Sequence, residues 1–184
     1  MAGRPDPEEY APYYTRYIDL VPGDDVMAVL QEQKDTVRDL LGGLSSKEAN
    51  HRYAPGKWSV REVVGHLSDN ERVFAYRALR LGRGDEGPLE GFDHDAYVAT
   101  GAFDRRPLPE LIDELLSVRE ATIALLRGLD ADALQRVGTA NGGALSARAA
   151  MFVNAGHLEH HLEILRKYYL RAPESGFDDS ASRG

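Results

Sequence analysis

Apolar residues recur at helical spacing in four long stretches of the chain and nowhere alternate strictly with polar ones. The first stretch spans 24–42. Val26, Leu30, Val37 and Leu40–Leu41 form its stripe, Asp24 or Asp25 supplies a cap, and Gly42–Gly43 stop it. The second, 59–81, opens on Ser59-Val60-Arg61-Glu62, a hydroxyl at the cap with a carboxylate three residues on. The third, 108–127, has Pro109 in its first turn with Glu110 and Asp113 behind it. The fourth, 146–170, starts at Ser146. Single turns are expected near Ser45–Glu48 and Asp130–Leu134, and a short helix over Asp93–Thr100. Four such periods without an internal repeat predict an all-α protein, most simply a four-helix bundle. Residues 82–107, with five glycines and two prolines, become a long crossover between helices two and three, a length that often carries function.

The bundle is expected over 24–171. Before it, Pro5, Pro7, Pro12 and Pro22 predict an extended arm over 1–23 and not a helix. Its Tyr10, Tyr13, Tyr14 and Tyr17 predict that the arm packs on the body. Gly138–Gly143 reads as a loop and 172–184 as a flexible tail.

Charge and composition narrow the function. The 22 Lys+Arg against 30 Asp+Glu leave a net charge of −8, which disfavours nucleic acid and anionic membranes as partners. No cysteine is present, which removes disulfides, thiolate metal sites and a Cys nucleophile. No apolar segment opens the chain and none is long enough to span a bilayer, so a cytoplasmic protein is expected.

Six histidines are the remaining candidates for chemistry. In His157-Leu158-Glu159-His160-His161, His157 and His161 share a face beside the apolar arc of Met151, Ala155, Leu158, Leu162 and Leu165, in line with Asn154 and Tyr168. His160 points toward the polar side. Leu158 stands where a zincin needs Glu, and a di-iron site needs two Glu-x-x-His motifs whereas Asn154 stands three residues before His157. His66, in helix two, lies on a half-apolar flank with Asn70. If helices two and four are neighbours, His66, His157 and His161 converge into a three-imidazole shell of catalytic type, with a position left open. The same pattern also suits histidines that are merely hydrogen-bonded in a core or boundary. His51, His94 and His160 read as solvated, and Trp58, Phe74 and Tyr76 as core or lid packing.

The segment Gly56-Lys57-Trp58-Ser59-Val60-Arg61-Glu62-Val63-Val64-Gly65-His66-Leu67 resembles the helix-two signature K-W-S-x-x-E-x-x-x-H of the DinB superfamily. Ala155-Gly156-His157-Leu158-Glu159-His160-His161-Leu162 resembles its helix-four signature H-x-x-x-H, and the resemblance covers residues 20–170. It implies a four-helix bundle, often a homodimer, with one divalent metal (zinc or nickel) on His66, His157 and His161. Some members resemble thiol transferases that use a low-molecular-weight thiol such as bacillithiol or mycothiol. The expectation is therefore a metal-dependent thiol S-transferase acting on a small electrophile. The alternatives are a metal-dependent hydrolase and a non-enzymatic dimeric metal-binding module of stress response. Asn70, Asn154 and Tyr168 are candidates for contacts to the imidazoles or to substrate.

Overall fold

The structure, a computed structural model, describes residues 3–170; the expected tail over 172–184 lies outside the described residues. Four long helices dominate: α2 (Val26–Leu41), α4 (Val60–Gly82), α6 (Leu108–Arg127) and α8 (Ala147–Ile164). Short helices α1 (Thr15–Ile18), α3 (Ser46–Ala49), α5 (His94–Gly101) and α7 (Ala131–Gln135) fill the connections. The caps are those of the sequence. The Asp25 carboxylate accepts from the N–H groups of Met27 and Ala28, and Ser146 Oγ accepts from that of Ala149. At α4, Ser59 Oγ accepts from Glu62 N while Glu62 Oε2 accepts from Ser59 N at 2.6 Å.

The chain forms a four-helix bundle in which α4 packs on both α6 and α8, and α2 packs on the same two. The consecutive long helices α2 and α4 thus stand diagonally, and α4 and α8, which carry the signature histidines, are neighbours. No helix among the described residues is long and apolar enough to cross a membrane.

The apolar core comes in two clusters. One gathers Leu30, Phe74, Ile123 and Phe152; the other gathers Val37, Leu67, Leu116 and Leu162. Between them a polar layer crosses the whole bundle. Arg119 of α6 grips both carboxylate oxygens of Glu71 in α4 at 2.6 and 2.7 Å. It also donates to Gln33 Oε1 of α2 at 2.8 Å, and Gln33 Nε2 donates to the Ala155 carbonyl of α8 at 2.9 Å. One buried network therefore ties all four long helices at the level of the histidines.

Two expectations need correction. The arm is not extended: Pro7 and Pro12 each open a 3₁₀ turn, and Thr15–Ile18 is helical. Proline is incompatible with a helix interior but suits a first turn, and both prolines sit there. The arm does lie on the body, with α1 against α8. The loop at Gly138–Gly143 is part of an antiparallel hairpin, β1 (Val137–Ala140) and β2 (Gly143–Ser146), turning at Asn141 and Gly142, both at positive φ. This hairpin anchors its neighbours. Leu89 of the crossover exchanges backbone bonds with Thr139 and Asn141, and Ala11 of the arm donates to the Ala144 carbonyl.

Candidate metal centre

His66 projects from α4 where α8 crosses it, one turn before the buried Glu71–Arg119 pair. His157 and His161 lie one turn apart on the facing side of α8. Their donor nitrogens and that of His66 all lie within 4.8 Å of one another. His66 Nε2 and His157 Nε2 are 3.2 Å apart. Nitrogens bound tetrahedrally at about 2.0–2.1 Å from a zinc ion would stand roughly 3.3 Å apart, so the spacing of this pair suits a shared metal. His160 stays outside the cluster, at its rim, edge-on to the Tyr17 ring.

The electrostatics point the same way. Burial, reinforced by the charge of His94, holds the His66 imidazole down at about 4. Burial first, and the neighbouring imidazoles second, holds His157 and His161 well below the ordinary imidazole value. All three rings are therefore neutral at pH 7, the form that binds a metal. The fold refuses protons that the unfolded chain accepts below about pH 6.5. Stability of the metal-free protein should accordingly hold above about pH 6.5 and erode as pH falls toward 4, by up to about 1.4 kcal/mol per pH unit for each ring. Urea denaturation at pH 7, 6 and 5 checks this, and His66→Gln should flatten the dependence.

The cluster forms one side of an open cleft of about 580 Å³. α4 lines it with His66, Asn70, Phe74 and Arg77; the arm supplies Tyr13, Tyr14, Arg16 and Tyr17; the crossover supplies Phe92 and His94. Tyr17 meets the His157 ring edge-on at 5.3 Å. Burial, and then the Tyr13 hydroxyl, pushes its phenol up to about 12, so it keeps its proton. The arm reaches this position because Gly156 has no side chain: a Cβ there would lie 1.9 Å from the Tyr17 carbonyl oxygen. Trp58 tilts over His66 with ring centroids 4.8 Å apart and separates the cleft from a smaller pocket of about 240 Å³ behind it.

The remaining candidates divide. Asn70 lines the cleft, and its Nδ2 is buried without a partner among the described residues. Asn154 is buried, with Nδ2 likewise unpartnered, and does not reach the cleft. Neither amide meets an imidazole: Nδ1 of His157 and of His161 has no hydrogen-bond partner among the described residues. Tyr168 does not approach the cluster. It is exposed and stacks on Tyr53 with ring centroids 5.0 Å apart, because the helix widens to a π-turn over Leu165–Tyr169 and under-winds the line from His161. His94 is exposed, as expected, and its ring also forms part of the cleft wall, 5.8 Å from the His66 ring. His51 lies apart, against Tyr169.

Comparison with known proteins agrees with this architecture. The family model described as DinB superfamily matches residues 29–165. A relative from Oceanobacillus iheyensis named "Putative metal-dependent hydrolase" is 28% identical over 138 residues, covering 71% of this chain and 78% of its own. A Geobacillus thermodenitrificans protein of the same name is 30% identical over 102 residues, 53% of this chain and 56% of its own. Among solved structures, YfiT from Bacillus subtilis, described as a probable metal-dependent hydrolase with an unusual four-helix bundle topology, superposes with a TM-score of 0.69. It is 20% identical, over 77% of this chain and 84% of its own.

Proposed function

The chain belongs to the DinB superfamily, and on that footing we propose that His66, His157 and His161 hold one divalent metal ion and that the cleft above them is the site of a thiol S-transfer to a small electrophile. The observation that carries the metal is the trio of neutral imidazoles, His66 and His157 buried and His161 half-buried, with donor nitrogens within 4.8 Å of one another. A divalent ion there supplies a Lewis acid that lowers the pKa of a coordinated thiol or water. Around it, Tyr17 and Trp58 keep water from two sides of the rings, and Asn70 offers an unpartnered amide to a bound molecule.

Thiol transfer is preferred over hydrolysis on one feature: no Asp or Glu lines the cleft among the described residues. A hydrolase generally needs a proton acceptor for water, whereas a thiol is the stronger acid, with a pKa of about 8.5 when free, and would release its proton to solvent on meeting a divalent ion, without a carboxylate base. A cleft of this size suits a small cofactor together with its acceptor. Hydrolysis is the second reading. It is favoured by the names of the relatives and by His94, which is placed to serve as the base.

Elemental analysis of untagged protein tests the metal. About one divalent ion per chain is expected, lost on His66→Ala or His157→Ala and retained on His51→Ala. Retention of metal in the His157→Ala variant would overturn the assignment. Turnover of a chromogenic electrophile with a panel of small thiols then tests the reaction. Thiol-dependent turnover abolished by His157→Ala supports transfer, and thiol-independent ester cleavage supports hydrolysis. No turnover with a full complement of metal supports the non-enzymatic module. The reading includes a homodimer, checked by sedimentation equilibrium.

A further inference from the structure

In a chain of net charge −8, the cleft is the exception: two arginines and five histidines line it, and no carboxylate does among the described residues. The more telling arginine is Arg77. Only 3% of its surface is exposed. It donates to the Glu90 carbonyl at 2.8 Å, the Tyr14 hydroxyl stands beside its guanidinium, which lies over Phe74, and no carboxylate among the described residues comes within 4 Å. By contrast Arg72, Arg80, Arg119 and Arg148 each meet one. A buried guanidinium without a counter-charge is costly unless an anion completes it.

The spacing along α4 gives this arginine a direction. Residues 66, 70, 74 and 77 fall on one helical face, so His66, Asn70, Phe74 and Arg77 pave the floor of the cleft in that order. Eleven residues separate the first from the last, about 16 Å of helix axis. Asn70, midway, adds a buried amide donor with no partner. Arg16 adds a second unpaired charge at the rim, over Tyr13 and Tyr17. The cleft thus offers donors and positive charge on an aromatic lining, with the metal centre at one end and a guanidinium fork at the other.

We propose that Arg77 is an anion subsite: the cleft takes an elongated substrate with an apolar or aromatic body and a terminal carboxylate, which Arg77 holds while the opposite end lies at the histidine cluster. A monoanion fits better than a dianion, since one buried guanidinium balances one charge and its planar fork matches a carboxylate in two parallel hydrogen bonds. This inference rests on the reading of the cleft as the substrate site and on none of the chemistry assigned to the metal.

The test uses the full chain, metal-free and zinc-loaded, with 4-phenylbutanoate and its neutral amide as probes. Binding is read by calorimetry and by the fluorescence of Trp58, the only tryptophan, which stands in the cleft wall. The metal-free chain should bind the carboxylate at least about tenfold more tightly than the amide, as expected for a charge-assisted pair. Arg77→Met should remove that preference, the carboxylate losing at least about tenfold more affinity than the amide, as for loss of the charge-assisted pair. Equal binding of the two probes by the wild type overturns the proposal without recourse to any variant, and so does failure of both to bind. A preference that survives Arg77→Met overturns it too. A preference seen only with zinc assigns the anion to the metal, overturning the subsite while supporting the metal centre. A metal-free preference in a protein that takes up no metal leaves the subsite standing and removes the metal reading.

Discussion

Replacing Glu71 with alanine should destabilise the protein by about 3–5 kcal/mol, the cost of leaving a buried charge without its partner. Arg119 is 2% exposed and Glu71 1%, so no water can take over the lost contact. The uncompensated guanidinium would stay among Leu30, Gln33 and the packed faces of α2 and α6. The damage should also spread, because Gln33 passes the network on to the Ala155 carbonyl, two residues before His157. The paired replacement Glu71→Leu with Arg119→Met should recover most of the loss, since apolar residues of similar volume often substitute for a buried ion pair at little cost. Urea denaturation of the two variants beside the wild type measures this. A loss below about 1 kcal/mol for Glu71→Ala would mean that the pair is worth no more than a surface bridge.

Gly156→Ala should have the next largest effect. Its methyl would meet the backbone of Tyr17, not a side chain that can swing aside. Either α1 lifts from α8 or α8 shifts within the core; overpacking of this kind costs about 1–3 kcal/mol and occasionally more. Lifting α1 would take the Tyr17 ring off His157 and open the cleft wall. Hydrogen exchange should show protection lost at the amides of Asp19, Leu20 and Val21, whose bonds close the end of the arm. Gly43→Ala, with open space around its Cβ position, is the matched control and should change neither stability nor exchange. Unchanged exchange in Gly156→Ala would show that α8 yields rather than the arm.

The four long helices were legible because each carries its own cap and stripe, which are local properties. The hairpin was obscured because Val137–Ala140 and Gly143–Ser146 are short and rich in small residues, with too little alternation to register as strands. Its turn was nevertheless visible as Asn141-Gly142, a strong hairpin dipeptide. The arm was misread by counting prolines without asking whether each began a turn. The facing of His66, His157 and His161 could be read because i and i+4 geometry is fixed by the helix. Tyr168 broke the same rule where the π-turn changed the winding, and nothing in Leu165–Tyr169 announces that change. Arg77 shares the helical face of His66 and was readable by the same rule, although its lack of an acid partner was not. His94 reaches the cleft through the path of the crossover, and Glu71 meets Arg119 across 48 residues of sequence. Such meetings depend on how the chain returns on itself, which periodicity does not encode.

The position of Tyr13–Tyr17 has an evolutionary consequence. The superfamily match begins at residue 29, yet a wall of the cleft is built by residues that precede it. The histidines and the floor of the cleft therefore lie on the matched bundle, and one wall lies on a segment before it. A lineage could exchange the arm, through recombination near the Pro22–Gly23 junction, and so alter the molecules admitted without disturbing the imidazole cluster. The bundle would have to keep a residue as small as Gly156 where the newcomer crosses α8, and the newcomer would have to replace the Glu9–Arg148 pair, the Ala11–Ala144 backbone bond and the apolar contacts of Ile18 and Val21. Diversification of this kind would leave the bundle recognisable while ligand preferences drifted apart. It also gives protein engineers a natural seam, at which grafted arms could be screened on a constant scaffold.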